Sequence, residues 1–184
     1  MLPYLIREAT RADAKAIARV HVASWRETYR GLIADSIIDS RTIGRRTVQW
    51  ARALGTPAQL TFVACVRKVV CGFASAQLQD PCGPPGRGYL QTLYVLRAAQ
   101  GAGVGKALLG AMAHALLVHG CNSLTLHVLP NNCAARGFYE HLGARYIRDR
   151  VQIDDDAQWV DAVYEWTNLA SLSGRPDETF TEAR

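Results

Sequence analysis

No stretch of this 184-residue chain approaches the roughly 18 consecutive apolar residues that cross a bilayer. Met1-Leu-Pro-Tyr-Leu-Ile is interrupted by charge at Arg7-Glu8, too soon for a secretory signal, so no membrane partner is expected and the cytoplasm is the default compartment. Cys-x-x-Cys spacing is also absent. The five cysteines, Cys65, Cys71, Cys82, Cys121 and Cys133, are odd in number and scattered, which argues against a disulfide framework and a zinc site; they read as reduced thiols, with no metal. Nor is there a five- to eight-residue block of Lys and Arg of the kind that marks nucleic-acid binding. The net charge of +5 serves either an anionic small ligand or an ordinary solvated surface. Internal repeats and low-complexity tracts are missing too.

What is present suits a folded chain, with 49% hydrophobic and 20% charged residues. One domain is expected at residues 1–168, with a polar C-terminal tail at 169–184. Thr10, with Asp13 in the capping-box position and Ala14, Ile17 and Val20 at helical spacing, predicts a helix from about residue 11 into the mid-twenties. A second helical region is expected over about 35–53, before Gly55-Thr-Pro57. Leu60–Val66 and Val69–Gln79 flank Arg67-Lys68 as a hairpin, Asp80–Gly88 is a Gly/Pro-rich loop, and Tyr89–Leu96 reads as a third strand. Apolar positions from Val104 to about His119 give an amphipathic helix closed by Gly120. A strand at Ser123–Leu129, a short helix at Ala134–Leu142 and a hairpin of Tyr146–Ile153 with Trp159–Trp166 complete the order.

The most informative segment runs from a strand at Leu93-Tyr94-Val95 through Gln100-Gly101-Ala102-Gly103-Val104-Gly105-Lys106 into that helix. Glycines there let the backbone approach a ligand and aim unpaired amides at it, and the helix dipole favours an anion at the same place. A P-loop is excluded, because position 100 is Gln and Lys106 is followed by Ala107. The dinucleotide pattern is excluded as well: its third glycine arrives one residue early, and no acidic residue lies about twenty residues on.

Gln100-x-x-Gly103-x-Gly105 resembles the Gln/Arg-x-x-Gly-x-Gly/Ala pyrophosphate loop of the GCN5-related N-acetyltransferase (GNAT) family. Further on, Asn132-Cys-Ala-Ala135-Arg-Gly-Phe138-Tyr139-Glu-His-Leu-Gly143-Ala is similar to the family's Asn-x-x-Ala-x-x-Phe-Tyr-x-x-x-Gly-Phe stretch, and residues from about 5 to 166 follow its order of elements. The resemblance implies an α/β (α+β) fold, with a mixed, mostly antiparallel twisted sheet of about six or seven strands flanked by helices. It further implies that acetyl-CoA is the cofactor and that a primary amine of a small molecule or peptide accepts the acetyl group directly.

On the same basis, the strand ending at Leu93, Tyr94 and Val95 would splay from the strand at 123–129, and the pantetheine arm would lie in the wedge. Amides of Gly101, Gly103, Val104, Gly105 and Lys106 would hold the pyrophosphate, with Gln100, Ala102, Ala135 and Phe138 completing the cofactor-binding set. Asn132 would bond the pantetheine arm, and Tyr139 would act as general acid toward the leaving thiolate.

The family's frequent glutamate on the strand before the loop has no counterpart, since Tyr89-Leu-Gln91-Thr92 contains no acid. His127 and Glu27 are alternatives for the base or are structural residues, and no base is needed if the amine binds neutral. Trp25 and Tyr29, four residues apart on one helix face, either wall the acceptor site or belong to the core. The run Asp154-Asp155-Asp156 attracts a cationic amine or is a solvated turn. A protein N-acetyltransferase, a non-catalytic coenzyme A-binding or sensing module, and a homodimer formed through sheet edges remain open.

Overall fold

Arg67 and Lys68 both sit in the left-handed region, at φ 49° and 68°, the geometry that a two-residue type I′ turn demands. They join β2 (Gln59–Val66) to β3 (Val69–Gln77) although neither is a glycine. Around this hairpin, the computed structural model describes residues 3–31, 38–154 and 157–173. The other strands are β1 (Tyr4–Glu8), β4 (Arg87–Val95), β5 (Ser123–Val128), β6 (Arg145–Asp154) and β7 (Ala157–Trp166). They form one seven-stranded sheet in the order β1-β2-β3-β4-β5-β7-β6. Only β4 and β5 run parallel, so the sheet is mixed and mostly antiparallel, as the resemblance implied.

Strand alternation splits the core in two. Val63, Cys65 and Phe73 pack against α1 (Ala14–Tyr29) and α2 (Ile43–Ala53), through Ile17, Ala18 and Trp50. Phe62, Leu90, Leu124 and Leu126 face the other way. There they meet Leu108, Leu109, Met112 and Leu116 of α3 (Val104–Val118) and Tyr139 of α4 (Cys133–His141). Among the described residues, no helix is long and apolar enough to cross a membrane.

Thr10 and Asp13 form the expected capping box. The Thr10 backbone N–H (2.8 Å) and its hydroxyl (3.1 Å) both donate to Asp13 Oδ2. Arg7 grips the same carboxylate with both terminal nitrogens, at 2.8 and 2.7 Å, and holds its pKa down at about 2. The helix expected over 35–53 is interrupted: residues 32–37 lie outside the described set, the turn ends at Ser40, and α2 begins after Thr42, whose hydroxyl accepts from the Arg45 amide at 3.3 Å. Finally, the expected boundary at 168 falls inside packed structure. Leu169 is fully buried and opens a 3-10 turn over Leu169–Ser171 that lies against α3, while 174–184 are outside the described residues.

Candidate active site

The parallel pairing of β4 with β5 stops early. Registers run only from Arg87 opposite Ser123 to Leu90 opposite Leu126; beyond them β4 pairs with β3 alone and β5 with β7 alone. A bulge coincides with the divergence, because Thr92 stands opposite Ser75 and Leu90 opposite Ala76, which leaves Gln91 without a partner. The Leu96 amide donates to the Cys71 carbonyl, so by the alternation of an antiparallel ladder Leu93 and Val95 turn their own N–H and C=O groups away from β3, into the gap. The result is a wedge with an unpaired strand edge along one side.

At the end of β4 the chain enters a 3-10 turn at Arg97–Ala99 and then the glycine loop. Gly101 and Gly103 adopt φ of 72° and 82°, and Gly103 is the N-cap of α3. The first helical bond runs from the Ala107 amide to the Gly103 carbonyl, and no side chain caps the helix. The amides of Val104, Gly105 and Lys106 therefore project from a fifteen-residue helix without internal partners, next to the Lys106 side chain. Gln100 braces this loop: its Nε2 donates to the Val95 carbonyl at 2.9 Å, so its side chain is committed to the fold.

Loop and wedge open into one cleft of about 930 Å³, lined by Leu93, Tyr94, Val95, Gln100, Gly101, Gly103, Val104, Gly105 and Lys106 on one side and by Asn132, Ala135, Phe138 and Tyr139 on the other. Tyr139 is 9% exposed, and its ring is held edge-on by Phe138 (5.4 Å between centroids) and Trp166 (5.9 Å). Asn132 caps α4, its Oδ1 accepting from the Ala135 amide at 3.2 Å. His127 also lines the cleft, with the Tyr89 hydroxyl and Gln152 Nε2 each 3.3 Å from its Nδ1. Burial, then Arg150, pushes the imidazole pKa down, and burial first of all pushes the Tyr89 phenol up to about 12, so both are neutral at pH 7.

The remaining expected site residues divide. Glu27 lines the cleft from α1. Trp25 does not: its ring carries the Arg41 guanidinium at 3.9 Å and stands 6.4 Å from His21. Ala102 packs against the core rather than lining the cleft. Tyr29 ends α1, but its side chain lies outside the described residues, as do Asp155 and Asp156.

Sequence reasoning missed Ser24 and Thr92. Both line the cleft, and their hydroxyl oxygens are buried without a hydrogen-bond partner among the described residues. Spacing gave a partial signal, since Ser24, Glu27 and Thr28 share one face of α1 and all three line the cleft. Arg97 at the loop was missed as well.

Residues 15–144 match the family described as Acetyltransferase (GNAT) family. Over 172 residues the chain is 34% identical to YuaI, an uncharacterized N-acetyltransferase of Bacillus subtilis strain 168, across 91% of this chain and 95% of that protein. Among solved structures it is similar to the PaiA N-acetyltransferase of Thermoplasma acidophilum in complex with coenzyme A, with a TM-score of 0.71, 20% identity and coverage of 89% of this chain and 98% of that one. It is also similar to YncA of Salmonella typhimurium, solved with its cofactor acetyl-CoA, with a TM-score of 0.66, 21% identity and 98% coverage of both chains. At these identities the two structures establish a shared fold.

Proposed function

The chain belongs to the acetyltransferase (GNAT) family, and from that premise we propose that it binds acetyl-CoA in the cleft between β4 and β5 and transfers the acetyl group directly to a primary amine. One observation carries the reading: an unpaired strand edge leads straight to an uncapped helix N-terminus. A pantetheine arm has amides and carbonyls that match such an edge, and a pyrophosphate matches the amides of Val104, Gly105 and Lys106 with the cations of Lys106 and Arg97 beside them. PaiA and YncA, which share the fold, are described with coenzyme A and acetyl-CoA respectively.

Bound there, acetyl-CoA supplies an activated acyl group that a neutral amine attacks without a covalent enzyme intermediate. Leu93 and Val95 offer backbone groups to the arm, while Gly101 and Gly103 let the loop close on the phosphates. Gln100 acts by bracing the loop onto Val95. Asn132, Ala135 and Phe138 form the opposite wall. Tyr139, fixed between Phe138 and Trp166, gives the leaving sulfur its proton; the surplus proton of the amine passes to solvent, and Tyr139 takes one back from solvent before the next turnover.

The test is release of free thiol from acetyl-CoA with a panel of primary amines, with product identified by mass. Amine-dependent thiol release supports the transferase. Tight acetyl-CoA binding with no turnover on any amine or peptide would favour a coenzyme A-binding module instead, a reading consistent with the lack of an acid in Tyr89-Leu-Gln91-Thr92, on the strand where the family often carries glutamate.

A further inference from the structure

Resting on the acetyltransferase reading, we infer that Ser24 and Thr92 seat the reacting nitrogen of the acceptor, and that Glu27 holds a second, positively charged group on the same molecule. Ser24 is 3% exposed, yet its Oγ has no partner among the described residues, not even the carbonyl one helical turn earlier. Thr92 Oγ1 is equally orphaned. Tyr94 stacks on His21 of α1 with ring centroids 5.1 Å apart, so Thr92, two residues away on the same strand, shares its face and looks toward α1 and Ser24. Buried hydroxyls are satisfied in native proteins unless something outside the chain completes them.

A neutral primary amine has the complementary inventory. Its two N–H groups can donate to the two hydroxyl oxygens, which leaves the nitrogen lone pair free for the acyl carbon.

Charge selects the rest of the molecule. Among the described residues Glu27 is the only carboxylate lining the cleft, one turn from Ser24, and it makes no ion pair. Arg97 and Lys106 also line the cleft, Arg97 from the 3-10 turn that follows β4 and Lys106 from the first turn of α3. The cleft thus has a cationic loop for phosphates and an α1 wall with a carboxylate, which suits an acceptor that stays positively charged after its reacting nitrogen has lost a proton.

Three amines of equal chain length separate the possibilities: 1,3-diaminopropane, propylamine and β-alanine, assayed with acetyl-CoA and the full chain. The inference predicts kcat/KM highest for the diamine, about fivefold above propylamine, and lowest for β-alanine. Glu27→Gln removes the preference, bringing the kcat/KM values for the diamine and propylamine to within about twofold of each other. Ser24→Ala and Thr92→Val raise KM for every accepted amine about tenfold, leave the acetyl-CoA dissociation constant within about twofold, and keep or raise the thermal midpoint of the free protein, because an orphaned hydroxyl is lost.

Equal use of the three amines, a preference that survives Glu27→Gln, hydroxyl variants with unchanged KM, or acetylation of none of them by a protein that binds acetyl-CoA would each overturn the seat. Failure of the unmodified chain to bind acetyl-CoA would instead overturn the acetyltransferase reading on which it rests.

Discussion

Phe138 and Gly105 meet where α4 crosses the start of α3: a Cβ on Gly105 would stand 3.1 Å from Phe138 Cζ. The last glycine of the loop motif is therefore a packing position that lets Phe138 close over the cleft. Gly105→Ala should change stability by less than about 1 kcal/mol, because the gain in helix propensity offsets the overlap. Gly105→Val should lose about 1–3 kcal/mol and weaken acetyl-CoA binding by displacing the ring. Denaturant melts with calorimetry check both, and a Val variant with unaltered stability and affinity would show that Phe138 yields freely.

Gly103 carries the left-handed backbone that turns the chain into α3, with φ 82° and the Tyr4 hydroxyl 3.4 Å from where a Cβ would lie. Gly103→Asp should cost about 1–2 kcal/mol of stability from strain and abolish acetyl-CoA binding, since it sets a carboxylate against the pyrophosphate. A folded variant that binds normally would remove the loop from the cofactor site.

Tyr139→Phe keeps the ring packing and removes the proton. Its kcat should fall about 10²- to 10⁴-fold at neutral pH, the range for a positioned general acid, with acetyl-CoA affinity unchanged. If turnover is unaltered when chemistry limits the rate, Tyr139 takes no part in the reaction.

His21 sets a pH dependence of folding. Trp50 Nε1–H donates to its Nδ1 at 3.1 Å, and burial, then Arg41, holds its pKa down at about 4, against an ordinary 6.5. Between these values the unfolded chain binds a proton that the folded one refuses. Its contribution to stability is therefore complete above about pH 6.5 and falls by on the order of 3 kcal/mol as pH drops to about 4. Melts of His21→Gln, which keeps an acceptor for Trp50, should show a flatter profile over pH 4–6.5. A slope equal to that of the parent chain would assign the acid sensitivity to other groups.

Local signals made much of the fold readable. Apolar spacing between Gly103 and Gly120 located α3 within about a residue at each end, and Arg67-Lys68 read as a turn because β-rich runs flank it. By contrast, the break at Ser40–Thr42 carries no Gly or Pro to mark it, and Leu169-Ala-Ser-Leu172 is too short an apolar run to signal its burial. In the site, the wedge came from family resemblance alone, since neither the bulge at Gln91 nor the premature end of the β4–β5 ladder leaves a mark in spacing. The roles of Ser24, Thr92 and Trp25 depend on what surrounds a side chain in three dimensions. Helical spacing grouped Trp25 with Tyr29 but could not show that Arg41 covers its ring.

Titration of the chain with acetyl-CoA while following the thermal midpoint tests the central claim most directly. A ligand at 100 times its dissociation constant adds about 2.7 kcal/mol to the native state, which for a chain of this size raises the midpoint by about 5–10 °C. The account predicts a saturable rise of that size, abolished by Gly103→Asp and retained in Tyr139→Phe. No rise, together with no heat of binding on folded protein, would contradict it.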